Sequence, residues 1–248
     1  MSTSGTVGKA LDLVEHLSRA PGPMGVSELG RALRMPKASV HRLLASLATH
    51  GYVSRVEDGR YRLGFRLVSL GLAALAREPV IEAARPELEA AARALGETLF
   101  LAVVRDRAIV VLDKVEGTGL LRVAPRVGDS APVHATAVGK LYLALAPDAL
   151  PPLATPLARF TARTLTSRAA LDRVVAQVRR RGWAESREEW IAGLAFVAAP
   201  VLVRGELVAT VAAGVPTARL RAASQSQVVK ITVAAARAAG ARLEGSVS

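Results

Sequence analysis

Apolar residues recur at helical spacing through the first twenty positions and again between residues 26 and 50. The pattern then changes to short alternating runs around an Asp-Gly pair. Ala10, Leu11, Leu13, Val14 and Leu17 predict a helix over Val7–Ala20, ended by Pro21-Gly22-Pro23. Val26, Leu29, Ala32 and Leu33 predict a second, one-sided helix. Ser27 is placed to cap its first turn, and Glu28 is favourable near its positive end. Arg34-Met35-Pro36 interrupts this helix, and Pro36 suits the start of the next, where its missing N–H costs nothing. From Lys37 to about His50, Val40, Leu43, Leu44 and Leu47 fall within one arc of ~100°. Gly51 ends that helix. Tyr52–Arg55 and Arg60–Leu63 then flank Glu57-Asp58-Gly59, a hairpin signal.

Two short helices across a tight turn, followed by a hairpin, predict a winged helix-turn-helix with duplex DNA as its partner. The arc opposite the apolar one carries Ala38, His41, Arg42, Ala45, Ser46 and Thr49. Alanines permit close approach to a groove, while hydroxyl, imidazole and guanidinium groups supply donors for bases or phosphates. The candidate DNA contacts are Ser27, Lys37, Ala38, Ser39, His41, Arg42 and Ser46, with Arg55, Arg60 and Arg62 on the wing. A helix pair with a polar face can equally be an ordinary solvated surface; the hairpin with three arginines tips the balance. Arg34 occupies a turn position where Gly often supplies a positive φ, so the turn is strained by ~1 kcal/mol or takes another geometry.

Phe65–Ala76 is apolar over much of its circumference and needs cover from another chain, which predicts dimerisation through this linker helix. Pro79 breaks it. The remainder reads as a helix over Ile81–Leu95 and strands over Leu99–Val104, Ile109–Val115 and Leu120–Ala124. Helices follow over His134–Leu145 and Leu171–Arg181, an extended stretch over Ala184–Trp190, a hairpin of Leu194–Val203 with Leu207–Val215, and a closing helix over Ala218–Leu243. Hairpin strands mixed with helices indicate an antiparallel α+β sandwich.

Composition changes the picture little. The 248 residues suffice for two domains. Net charge is +12, but residues 1–64 hold nine Lys/Arg against five Asp/Glu, so most of the excess lies outside the reading head. Arginine outnumbers lysine and alanine abounds, which makes the basic balance weak evidence for nucleic acid. The absence of cysteine rules out disulfides and thiolate metal sites and fits a reducing cytoplasm. No signal-peptide pattern opens the chain, and Arg204-Gly205-Glu206 breaks the most hydrophobic stretch, Leu194–Pro216, so a soluble cytoplasmic protein with no membrane partner is expected.

Enzymatic chemistry finds little support. His134, Asp113 and Ser130 lack a G-x-S-x-G elbow to organise them as a triad. The four histidines, His16, His41, His50 and His134, are scattered and form no metal motif. Lys140 reads as a solvated helix residue rather than a Schiff-base lysine. No phosphate-binding Gly-rich loop is present, and neither cofactor nor catalytic residue is expected.

The runs P-K-A-S-V-H-R-L-L (Pro36–Leu44), H-G-Y-V (His50–Val53), Y-R-L-G (Tyr61–Gly64), P-V-H-A-T-A-V-G-K (Pro132–Lys140) and G-L-A-F-V-A-A-P-V (Gly193–Val201) resemble the IclR family of bacterial transcriptional regulators. The resemblance extends from about Thr6 to about Arg242. It implies an α+β chain: a winged helix-turn-helix over 1–64, a linker helix over 65–78, and an effector-binding domain of GAF-like form with an antiparallel sheet over 79–248. It also implies a homodimer or homotetramer on an inverted-repeat operator, acting as repressor or activator.

Family pocket positions carry over one at a time. The segment after His134-Ala135-Thr136 supplies backbone N–H groups near a helix start, a place for a carboxylate. The matching residues are Ala137 and Val138, with Gly139 allowing close approach. His134 there implies a structural hydrogen-bonding role. Leu120 and Val123 match lining positions, and Glu188 or Glu189 an acidic one. Phe196 stands where some members have a small polar residue or Cys, and Ala212 and Gly214 where some use serines. The loss of those polar handles implies an aromatic or otherwise apolar effector, with or without one carboxylate, since a small dicarboxylate would be buried without partners. Alternatively, Phe196 simply fills core space. The competing function is a small-molecule-binding or enzymatic α+β protein whose N-terminal domain mediates protein contacts.

Overall fold

The computed structural model describes residues 5–119, 125–220 and 222–246. The chain divides into two compact units, Met1–Arg77 and Glu78–Ser248. The strand expected over Leu120–Ala124 lies outside the described residues.

The first unit runs α1 (Thr6–Arg19), α2 (Val26–Ala32), α3 (Lys37–Thr49), β1 (Val53–Arg55), β2 (Tyr61–Leu63) and α4 (Phe65–Leu75). Its core is the apolar arc read from the sequence: Leu13 and Leu17 of α1, Leu29 of α2, Val40 and Leu44 of α3, with Val53 and Tyr61 from the hairpin. β1 and β2 pair antiparallel, Val53 opposite Leu63 and Arg55 opposite Tyr61. Met24 adds a bridge to the hairpin by exchanging both backbone bonds with Tyr61, each 2.8 Å. Arg34 takes the positive φ that its place in the turn demands, 54°. Ser27 does not cap α2. Gly25 is the N-cap, and the Glu28 carboxylate accepts its N–H at 2.7 Å, closing the first turn from inside the helix. Gly64 is fixed by space, because a Cβ there would lie 2.1 Å from the Gly51 carbonyl oxygen.

The second unit is a six-stranded antiparallel sheet in the order β5-β4-β3-β8-β7-β6, with helices on both faces. Its strands are β3 (Thr98–Arg105), β4 (Ala108–Val115), β5 (Ser130–Ala131), β6 (Ala184–Arg187), β7 (Leu194–Val203) and β8 (Glu206–Pro216). Its helices are α5 (Pro79–Leu95), α6 (Ala137–Leu145), α7 (Arg168–Arg181) and α8 (Ala222–Ser246). Strand alternation divides the core. Leu99, Leu101 and Val103 of β3 and Ala195, Val197, Ala199 and Val201 of β7 meet the α5 and α8 side. Phe100, Ala102, Phe196 and Ala198 meet the α6 and α7 side. Covering both faces explains why β7 and β8 read as unbroken apolar runs rather than alternating ones.

Several boundaries differ from expectation for local reasons. α6 begins at Ala137 rather than His134, because Thr136 is its N-cap. The extended stretch from Ala184 ends at Arg187, where Glu188 turns with φ 54°. The two-residue edge strand β5 has no sequence signal of its own and exists only by pairing with Ile109 and Val110.

Candidate DNA-reading face and ligand cavity

Period decides the face of α3. Val40 and Leu44 are buried and Leu43 and Leu47 half-buried, whereas Lys37, Ala38, His41, Arg42, Ala45, Ser46 and Thr49 are exposed and Ser39 is half-buried. No large apolar side chain interrupts the exposed arc. Thr49 donates its hydroxyl to the Ala45 carbonyl at 3.0 Å, so that hydroxyl proton is already committed. Ser27 is exposed on α2.

The wing arginines differ from one another. Arg55, Arg60 and Arg62 are all exposed, but Ser54 pairs with Arg62 in the ladder, which puts Arg62 on the face opposite Arg55. Arg62 Nε donates to Ser54 Oγ at 3.2 Å. Arg60 folds back on the turn, its Nε 2.5 Å from Asp58 Oδ2, while its backbone N–H donates to Asp58 Oδ1. Those bonds hold the Asp58 carboxyl below its ordinary range. Arg55 guanidinium packs against Gly59 in the same turn.

In the second unit, the N-terminus of α6 is the place where a carboxylate was expected, and most of its donors are spent. The Ala137 N–H donates to Ser186 Oγ at 3.2 Å, and the Gly139 N–H to Thr136 Oγ1 at 3.1 Å. Thr136 in turn donates to the Pro132 carbonyl at 2.8 Å. Gly139 does admit a close approach, but of the chain's own backbone: a Cβ there would sit 1.9 Å from the Val133 carbonyl oxygen. The Val138 N–H is the one first-turn donor of α6 with no hydrogen bond among the described residues.

Lys140 corrects the sequence reading more sharply. Its side chain is 1% exposed rather than solvated. Its ammonium donates to the Glu185 carbonyl at 3.2 Å and pairs closely with the Glu189 carboxylate. Burial pushes the lysine down and the glutamate up, and the attraction between them opposes both shifts. Glu189 Oε2 is buried with no hydrogen-bond partner among the described residues. Glu189 thus serves as the counter-ion of Lys140. His134 Nε2 lies 2.7 Å from the Ala158 carbonyl, which ties the long segment after α6 to the turn that leads into that helix.

Between α6 and the sheet lies an apolar cavity of about 30 Å³. Ala137, Val138, Phe196 and Ala212 line it, joined by Phe100, Ala102, Ile109, Val111, Ala131, Pro125, Thr136 and Trp190. The Phe100 and Phe196 rings are 6.0 Å apart. Gly139, Glu189 and Gly214 are not among the lining residues. Leu120 and Val123 lie outside the described residues. Trp190, Phe100 and Val111 were missed by sequence reasoning; the even-numbered positions of β3, which share a face with Phe196, were the signal for Phe100.

With this geometry in view, comparison with known proteins is decisive. The family described as "Bacterial transcriptional regulator IclR C-terminal" matches residues 72–241, and "IclR helix-turn-helix domain" matches residues 6–57. The chain belongs to the IclR family. The HTH-type transcriptional regulator KdgR of Escherichia coli is 32% identical over 225 residues, covering 89% of this chain and 86% of the relative. The regulator BhcR of Paracoccus denitrificans is 32% identical over 234 residues, covering 92% and 84%. The crystal structure of the Thermotoga maritima IclR superposes with a TM-score of 0.76 at 26% identity, covering 96% of this chain and 98% of that one. This IclR-family protein is thus a DNA-binding transcriptional regulator with a C-terminal effector-binding domain, not an enzyme. Its described helices include none long and apolar enough to cross a membrane.

Proposed function

We propose that this IclR-family regulator binds an inverted-repeat operator as a dimer or a pair of dimers, placing the exposed arc of each α3 in a major groove. The observation that carries the reading is that arc itself: Lys37, Ala38, His41, Arg42 and Ser46 stand free of bulky apolar neighbours on a helix whose other side is anchored in the core. Ser39 sits at the margin of the arc. Ser27 reaches the backbone from α2, and Arg55 and Arg62 reach it from opposite faces of the wing. Arg60 can contribute only by leaving Asp58.

Dimerisation is supported by apolar surface. α4 buries none of its residues; Phe65 is 78% and Leu72 61% exposed, and on α1 Val7 is 74% and Leu11 58% exposed. Surface of this kind marks a contact with another chain. The domain limits 1–64, 65–78 and 79–248 follow from the same reading.

The effector enters the cavity between α6 and the sheet. Its lining offers aromatic and aliphatic carbon, and the Val138 N–H has no hydrogen bond among the described residues, which suits an aromatic or alicyclic acid with a single carboxylate. At about 30 Å³ the cavity is smaller than such an acid, so binding requires its lining side chains to move apart. Coupling then follows from differential affinity for the closed and opened arrangements. Titration calorimetry tests this: benzoate-type acids bind measurably tighter than pyruvate or glyoxylate, and the reverse order refutes it. A gel shift on the chain's own promoter region tests the DNA reading, which requires specific, salt-sensitive binding.

A further inference from the structure

A second concavity opens on the opposite face of the sheet, where α8 crosses β7 and the end of α7 turns into β6. It is a groove of about 710 Å³, within the range of small-molecule sites. Trp183, Leu202, Val229 and Val233 give it apolar walls, and Arg181, Lys230 and Arg237 bring three cations to it. The groove exists because of where small residues fall. Lys230, Ala234, Arg237 and Ala241 form one exposed stripe along α8, and the two alanines leave hollows beside the long basic side chains.

The charges are unevenly satisfied. Arg181 is fixed: its guanidinium lies 3.7 Å from the centroid of the Trp183 ring, and its Nε donates to the Trp183 carbonyl at 2.7 Å. Together they make a rigid wall, with Arg181 desolvated enough to lower its pKa. Lys230 and Arg237 have no ion pair or hydrogen bond among the described residues. The carboxylate in the lining, Glu244, is two turns of α8 beyond Arg237. Unpaired cations beside a tryptophan and two valines complement a molecule that is both apolar and anionic.

We propose that this groove is a second ligand site, separate from the α6 cavity, taking a small organic acid. Its apolar body lies against Trp183, Val229 and Val233, and its carboxylate is held by Lys230 or Arg237. The site is independent of the effector reading above, because β7 presents Ala199 to one face and Phe196 to the other.

The two tryptophans make the test local, since Trp183 lines the groove and Trp190 the α6 cavity. In full-length Trp190→Phe, Trp183 is the remaining tryptophan and reports the groove. Titration with 4-phenylbutyrate is expected to change its emission saturably. The uncharged amide binds at least tenfold more weakly, and Lys230→Glu/Arg237→Glu weakens the acid at least tenfold. Ala234→Phe, which fills the groove without altering charge, is expected to do the same. Calorimetry of the unmodified chain and of the same groove variants provides a second measurement that does not depend on the Trp190 substitution. The proposal is overturned if the acid causes no saturable change, or if the amide binds equally well. It is also overturned if the groove variants leave acid affinity intact, or if they leave it intact while lowering the sedimentation mass or weakening binding to non-specific DNA; those last outcomes assign the groove to a second copy of the chain or to nucleic acid.

Discussion

Replacing Lys140 by Met is expected to destabilise the second unit far more than the loss of one lysine on a helix would suggest. The lysine is 1% and its partner Glu189 11% exposed, so solvent does little to screen the pair. Met keeps the unbranched stem, one atom shorter, and removes the charge, leaving a carboxylate that already has one buried oxygen without a hydrogen-bond partner among the described residues. Breaking a buried pair from one side costs about 3–5 kcal/mol. With a urea slope of ~2 kcal/mol/M, the midpoint falls by about 2 M. Both tryptophans of the chain lie in the second unit, so tryptophan emission during urea unfolding follows that unit alone. The pH dependence carries a sign. The Glu189 pKa is already raised by burial, and losing the Lys140 charge raises it further, so the folded variant holds a proton that the unfolded chain has released. The loss is therefore smaller near pH 5 and grows as pH rises through the folded value. Lys140→Met/Glu189→Leu recovers most of the stability, because both charges leave together. A loss below ~1 kcal/mol, or a double variant as weak as the single one, refutes the assignment of this pair as an internal brace.

Arg42→Ala is expected to weaken operator binding by ~1–3 kcal/mol while leaving effector affinity unchanged, measured by gel shift and by calorimetry on the full chain. Equal operator affinity removes Arg42 from the contact surface. Gly139→Ala drives a Cβ into the Val133 carbonyl, so tryptophan-detected urea unfolding should show a loss of at least ~2 kcal/mol. Arg34→Gly relieves a left-handed residue in the turn and should stabilise the first unit by ~1 kcal/mol, seen as a rise in its thermal midpoint by circular dichroism.

The fold was legible where information is local. The arc of Val40, Leu43, Leu44 and Leu47 announced both α3 and its buried side. The Asp-Gly pair announced the hairpin, and the apolar circumference of Phe65–Ala76 announced a helix that α4 then leaves exposed. That Arg55 and Arg62 lie on opposite sides of the hairpin was not legible, because it depends on cross-strand register, which composition does not carry.

The candidate effector site was half legible. Ala137, Val138, Phe196 and Ala212 converge, since motif residues near a helix start and on two neighbouring strands share one face of the sheet. Gly139 and Glu189 do not line the cavity, and the Ala137 N–H is donated to Ser186. Each is occupied by another part of the chain: a Val133 carbonyl, a lysine 49 residues away and a serine 49 residues away. Periodicity along the chain thus determined the elements and their apolar faces, because those depend on neighbours three or four residues apart. Only the tertiary structure decided which donors and charges remain open, since a polar group's partner is set by packing between segments distant in sequence.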